Sequence, residues 1–273
     1  MKNIFIFLSL LSTTSVLFSQ EKAPSKKPKF YFSWGYNTER YSKSNIHIVQ
    51  SKLNNDYTFN NTLAHDKIGW NHLFQNDLTI PQYNYRLGYF FNKKQNLAIE
   101  LNFDHTKYIV TEGQQIHITG TMHNSQIDTT IITGNQILAY QLNNGANFFL
   151  VNLVKQVNLY SPKSNIVNLS FLGKIGVGPV IPHVQNTIFG KENVPHFQFG
   201  GWNTGIEAAI KATFFNYVYL EFCGKLDFAN YAKLKIYEGY ANHHFITREL
   251  ILNLGINFPC RKEKTKSITE QNR

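Results

Sequence analysis

The residues best suited to chemistry in this sequence are histidines that sit beside carboxylates or beside each other. His65–Asp66, Asp104–His105 and His243–His244 stand out among ten histidines, and His183 and His196 fall in a Pro-containing stretch. An imidazole serves as a general base near neutral pH, a carboxylate fixes its tautomer, and Ser, Thr or water supplies the nucleophile. That is ester-cleaving or acyl-transfer chemistry. A metal site built on His243, His244 and a loop histidine would need three or four converging ligands. The sequence has no His-Glu-x-x-His, paired-Cys or Gly-x-Ser-x-Gly signature, and no metal or cofactor is expected. A second set is ionic. Arg86, Glu100, Lys174, Glu207, Lys211, Glu221, Lys225, Asp227 and Glu249 each interrupt a run in which apolar residues recur at every second position.

Both sets depend on the elements that carry them. In "IPQYNYRLGYFFNKKQNLAIELNFDH" (80–105), Tyr83, Tyr85, Leu87 and Tyr89 fall on one face of a strand, opposite Gln82, Asn84, Arg86 and Gly88. Past the turn, Leu97, Ile99, Leu101 and Phe103 share a face opposite Ala98, Glu100, Asn102 and Asp104. The same period recurs along the chain and predicts eight strands. They begin with "FYFSWGY" and continue at roughly 81–91, 97–110, 147–159, 166–179, 200–213, 217–230 and 244–258. Connections alternate long and short. The long ones, 38–80 and 111–145, hold β-prone runs such as "HIVQ", "YTF", "QQIHITGTM" and "DTTIIT". "YAKLKIYEGYANHH" reads as a further connection.

Composition agrees with strands. Only 16% of residues are charged against 15% aromatic, and Tyr and Phe dominate the aromatics. The net charge is +10, but much of the excess lies in "EKAPSKKPK" and "RKEKTK", which read as solvated flanks, so nucleic-acid binding is not expected. The start, "MKNIFIFLSLLSTTSVLFSQ", has the layout of a signal peptide with cleavage near Ser19 or Gln20. The organisation expected is a signal peptide at 1–20, a basic linker at 21–29, a barrel at 30–258 and a disordered basic tail at 259–273. Cys223 is predicted mid-strand and Cys260 beyond the last strand, so no disulfide is expected between them.

Alternation does not by itself say which face is buried. A lipocalin-like carrier would bury the apolar face. Three features favour an apolar face turned to lipid. Mid-strand charges of both signs share the other face, and each Lys or Arg turned to lipid would cost roughly 2–4 kcal/mol. Gly88, Gly176, Gly178, Gly205 and Gly255 lie on that same face, as a narrow filled lumen requires. Aromatics gather at strand ends, at Tyr83, Tyr89, Phe90, Phe91, Tyr160, Phe214, Phe215, Tyr217 and Phe258, like interfacial girdles. The fold expected is all-β, an eight-stranded antiparallel up-and-down transmembrane β-barrel. Within it, Arg86–Glu100 and Lys211–Glu221 are expected to pair as a polar plug.

The signal-peptide layout, the alternating strands and the short "NKKQN" and "SPKSN" turns resemble small outer-membrane β-barrels of the OmpA/OmpX type. "FYFSWGYN", "AHDK", "TIPQYNYRLGYFFN" and "FDHTKY" resemble a Bacteroidetes branch of such barrels, over about residues 30–258. The chain departs from them in carrying "PCRKEKTKSITEQNR" after Phe258, where such barrels often end on an aromatic residue. The resemblance implies a bacterial outer-membrane location, periplasmic termini and a monomer. It implies contact with outer-membrane lipid and lipopolysaccharide, and an extracellular protein or glycan as partner. A structural or surface-interaction role through the long loops is the leading expectation. The alternative is a lipid A-modifying acyltransferase or deacylase at the rim, with His65, Asp66, His105, His243 and His244 as candidates. Adjacent residues on a strand point to opposite faces, so Asp104 would not orient His105.

Overall fold

The computed structural model describes residues 29–69, 81–134, 136–164 and 166–258. The expected signal peptide, most of the linker, the tail and Cys260 lie outside the described residues. β1 (Phe30–Tyr41) leads into the hairpin of β2 (Ser44–Gln50) and β3 (Asn55–Thr62), then the short β4 (Ala64–His65). β5 (Tyr83–Phe90) and β6 (Leu97–His105) follow, then β7 (Tyr108–Val110), the hairpin of β8 (Gln115–Met122) and β9 (Ser125–Ile132), and β10 (Leu138–Leu142). β11 (Phe148–Tyr160) and β12 (Val167–Val180) make the next long hairpin. β13 (His183–Ile188), β14 (Lys191–Glu192) and β15 (His196–Phe197) precede β16 (Gly201–Phe214), β17 (Val218–Ile236) and β18 (Gly239–Phe258).

Eight of these strands close a ring of antiparallel pairs, in the order β1, β5, β6, β11, β12, β16, β17, β18 and back to β1. Closure leaves the barrel without a sheet edge, as backbone groups in lipid require. Paired residues run from Phe30 through Tyr89, Ile99, Leu153, Ile175, Ile206, Leu226 and Arg248, and return to β1 at Arg40. The register therefore advances ten residues in one circuit, from position 30 to position 40. Ten residues of strand measure about 33 Å, and at a tilt of about 40° they climb about 25 Å. That is about the height of the apolar band on barrels of this kind.

The outward residues along this climb are apolar and exposed: Leu87, Leu101, Val151, Ile175, Ile206, Phe222 and Leu252 are examples. On β17 the band covers 218–228, and on β18 it covers 246–258. The inward residues are mostly polar or small, with one apolar cluster of Tyr31, Phe90, Val154, Leu172, Tyr219 and Ile251 among them, and the exposed band is apolar, the reverse of a lipocalin-like carrier. Phe30, Tyr89, Tyr160, Phe215, Tyr217 and Phe258 are exposed at the short-turn end, where Phe30 pairs with Phe258. Phe90, placed in the girdle by its neighbours in sequence, instead points inward and packs on Tyr31 at 5.5 Å between ring centroids. Cys223 is a buried free thiol.

Above the band the polarity of the strands inverts. On β17, Glu221, Lys225 and Asp227 point inward within the band, but Tyr231, Leu234 and Ile236 point inward above it. The outward face changes from Leu226 and Phe228 to Asn230, Lys233 and Lys235. β18 does the same, with Phe245, His243 and Ala241 turned inward. The result is a cap with its own apolar core, centred on Ile46, Ile48, Phe59, Tyr108, Ile118, Tyr140, Leu142 and Phe245. One ladder of the cap runs β17, β18, β2, β3, β8, β9; another runs β1, β4, β7, β10, β13.

Two expectations about the connections change, and the β-prone runs of the first long connection do form strands. "YAKLKIYEGYANHH" is the top of the β17–β18 hairpin, paired up to Ile236 and Gly239. A register shift between Tyr231 and Leu234, with Lys233 at φ 55, breaks the alternation there. A bulge of this kind changes which positions point inward, so a strict two-residue period stops at the wrong place. The Pro- and His-containing stretch 181–199, which by its composition reads as a loop, likewise contains β13, β14 and β15. The first long connection is a β2–β3 hairpin docked on β18 and β8.

Candidate functional site

Two places concentrate polar side chains: the lumen within the band and the rim where the band meets the cap. The lumen is built by the inward positions of the eight ring strands. Lys174 is its hub. The ammonium lies 2.7 Å from Glu207 Oε1, 2.8 Å from Glu221 Oε1 and 3.3 Å from Glu100 Oε2. Glu100 also accepts hydrogen bonds from Tyr31 Oη (2.8 Å) and Asn152 Nδ2 (3.0 Å). Arg86 lies 3.3 Å from Asp104 Oδ1 and 3.4 Å from Glu207 Oε2, so its partners are not the Glu100 expected from the sequence. Lys225 bridges Asp104 (2.5 Å) and Asp227 (2.8 Å), with Glu249 at 3.7 Å.

Lys211 is cross-strand from Glu221, yet its ammonium lies over the Tyr219 ring, 3.6 Å from the centroid, and 4.8 Å from that of Tyr31. Both rings lie over glycines. A Cβ on Gly88 would fall 1.9 Å from Tyr31 Cζ, and one on Gly255 would fall 2.1 Å from Tyr219 Cζ. The glycines opposite these tyrosines are therefore what lets the rings lie flat across the lumen. Charged, amide and aromatic groups together fill it, as a barrel of eight strands requires.

Asp104 belongs to this network, although its neighbour His105 suggested a rim residue. The signal for it was present: Asp104 continues the inward series Ala98, Glu100, Asn102. Glu39 was missed as well. It is buried at the outer end of the lumen and accepts hydrogen bonds from Asn37 (2.5 Å) and Gln82. Glu207, Glu221 and Cys223 place three ligand atoms within 4.8 Å of one another. The Lys174 ammonium already sits against both of those glutamates, where a metal cation would have to go.

The histidine candidates are not brought together. The His65 ring is exposed and donates from Nδ1 to the Asp66 carbonyl oxygen at 2.7 Å. The Asp66 carboxylate instead accepts from Thr38 Oγ1 (3.0 Å) and the Glu39 N–H (2.8 Å). His105 stacks on Tyr83, 4.7 Å between centroids, with Nδ1 2.9 Å from Asn147 Oδ1. His244 is exposed beside Phe228.

His243 is buried in the cap among the rings of Tyr108, Tyr140, Tyr231 and Phe245. Its Nδ1 lies 3.4 Å from Ser44 Oγ. Burial, and secondarily the neighbouring His244, pushes its pKa down to about 3. The Ser44–His243 contact has the types of a nucleophile and base but is closed off from lipid and water. His183 packs on Phe197 and His196 turns Nδ1 to the Val194 carbonyl oxygen. His47–Asp56 (2.7 Å) and His117–Asp128 (3.0 Å) form on the outside of the cap. They join residues on paired strands, which only the register reveals.

Taken together, the closed ring, its apolar exterior and its charged, filled interior define a small transmembrane β-barrel of the outer-membrane type. No protein-family model and no curated protein matches the sequence. Among solved structures, the chain is similar to Neisserial surface protein A (NspA), at 9% identity and a TM-score of 0.36, over 84% of this chain and 97% of that one. It is similar to Ail, the attachment invasion locus protein of Yersinia pestis, at 10% identity and a TM-score of 0.32, over 85% and 99%. It is also similar to the outer membrane protease OmpT from Escherichia coli, at 9% identity and a TM-score of 0.39, over 87% and 99%.

Proposed function

We propose that this chain is a monomeric barrel of the bacterial outer membrane that acts as a surface-interaction protein through its cap. In this reading the short turns, Phe30 and Phe258 face the periplasm, and the cap stands outside the cell. The observation that carries the reading is the cap itself. Its buried apolar core makes it a firm platform rather than a set of loose loops.

The cap also ends in an edge. β9 pairs along its length with β8, and among the described residues no strand pairs with its other side. The strand "SQIDTTII" carries one charge and neither Lys nor Pro, the usual guards of an exposed edge. An extended segment of an extracellular protein is the partner such an edge fits, by strand addition.

The test is adhesion of cells displaying the barrel to immobilised host or neighbour-cell surface proteins. Replacing the exposed Gln126, Thr130 and Ile132 with Lys should abolish binding while the barrel still assembles. Undiminished adhesion of that variant would remove the reading. The alternative of a lipid A-modifying rim enzyme has the thinner support, because His65, His105 and His243 occupy separate environments. An acyl change in lipid A that depends on His65 or His105, seen by mass spectrometry, would favour it.

A further inference from the structure

Arg40 on β1 and Arg248 on β18 are directly opposed, and both are exposed on the outer face of the barrel. His65 on β4 is paired with Arg40 on its other side and is exposed as well. Three neighbouring strands thus present Arg248, Arg40 and His65 side by side. Like charges directly opposite each other on a sheet are destabilising. Among the described residues, neither guanidinium has an ion-pair partner. The nearby Asp66 carboxylate is taken up by Thr38 and the Glu39 N–H.

The register fixes the height of this row. The circuit of paired residues that starts at Phe30 stays apolar through Leu226, and its last two members are Arg248 and Arg40. The row therefore lies about 25 Å above Phe30, at the outer edge of the apolar band. Directly below it, Tyr36 pairs with Leu252, and Thr38 pairs with Leu250. Leu250 and Leu252 are exposed to lipid. Two guanidinium groups with an imidazole donor beside them, standing on an apolar wall, match a molecule with an anionic head and an acyl tail. Guanidinium groups favour phosphate in particular, because their forked donors meet two of its oxygens at once.

We propose that Arg248, Arg40 and His65 form a binding site for the phosphate group of an outer-leaflet lipid, with its acyl chain on Leu250, Leu252 and Tyr36. The outer-leaflet assignment rests on the orientation proposed above; the binding chemistry does not.

The full chain, refolded in a maltoside detergent free of phosphate, tests this. Diphosphorylated lipid A, its dephosphorylated form, phosphatidylglycerol and sodium phosphate are each added, and retained lipid is counted by native mass spectrometry. The Arg40→Gln/Arg248→Gln variant should lose retention of lipid A by about tenfold or more, with its heat-modifiable gel mobility unchanged. Wild-type protein should not retain the dephosphorylated form. Retention of phosphatidylglycerol, lost in the same variant, would support the site and extend it to phosphodiesters. Equal retention by the variant and wild type would overturn the proposal. Displacement of bound lipid A by millimolar sodium phosphate alone would overturn the lipid assignment. If the double variant does not assemble, Arg40→Gln alone serves, with weaker retention expected. Because micelles have no sidedness, failure of the orientation reading leaves this result untouched.

Discussion

Lys174 and Glu207 lie 2.7 Å apart inside the barrel, and the same carboxylate reaches Arg86 at 3.4 Å. Lys174 also serves Glu100 and Glu221, so one ammonium neutralises carboxylates contributed by β6, β16 and β17. Lys174→Met would leave these buried carboxylates without it. The expected loss is about 3–5 kcal/mol, as for other broken buried pairs. Urea titration of the barrel in lipid vesicles measures it. A change below about 1 kcal/mol would mean the network is not a supporting element.

The tyrosine–glycine contacts make a steric prediction. Gly88→Val would drive its side chain into the Tyr31 ring, which also carries the hydroxyl bound to Glu100. Overpacking of this kind costs roughly 1–3 kcal/mol. Gly224→Ala, where a Cβ meets nothing within 4 Å, should be close to neutral by the same urea assay.

The lipid-facing assignment predicts a depth dependence. Leu252 is the midpoint of the band on β18, so Leu252→Arg should cost about 2–4 kcal/mol in vesicles. Asn230→Arg, outward on β17 but above the band, should cost close to nothing. Equal costs at the two positions would contradict the placement of the membrane.

His243 predicts a pH response of the cap. Its pKa is about 3 when buried and about 6.5 in an unfolded chain. Between those values the unfolded cap binds a proton that the folded cap does not. Stability from this group is therefore complete above about pH 6.5 and declines as the pH falls towards 3, by about 1.4 kcal/mol per unit. Hydrogen exchange at Ala241 and Phe245 should speed up over that window. His243→Phe should flatten the response.

Much of the barrel was legible in the residues. The alternation of Leu97, Ile99 and Leu101 against Ala98, Glu100 and Asn102 located a strand and its two faces. The mid-strand charges told which face meets lipid, because hydrocarbon does not accept Lys174 or Arg86 unpaired. Asp104 was equally legible by parity, but its neighbour His105 drew attention to the rim. The cap was harder. Its strands keep the two-residue period but exchange the meaning of the faces, and the bulge at Lys233 shifts the period itself. Local pattern carries no sign of that exchange, since it depends on where water replaces lipid.

By itself, the sequence determined where the eight ring strands cross the band and which face they turn outward, since period and side-chain solvation act residue by residue. Only the tertiary structure decided the partners. Which acid meets Lys174, which strand carries the arginine opposite Arg40, and which edge of the cap is left open all follow from a register that advances ten residues around the ring. Register is set when all eight strands close together, and no single segment contains it.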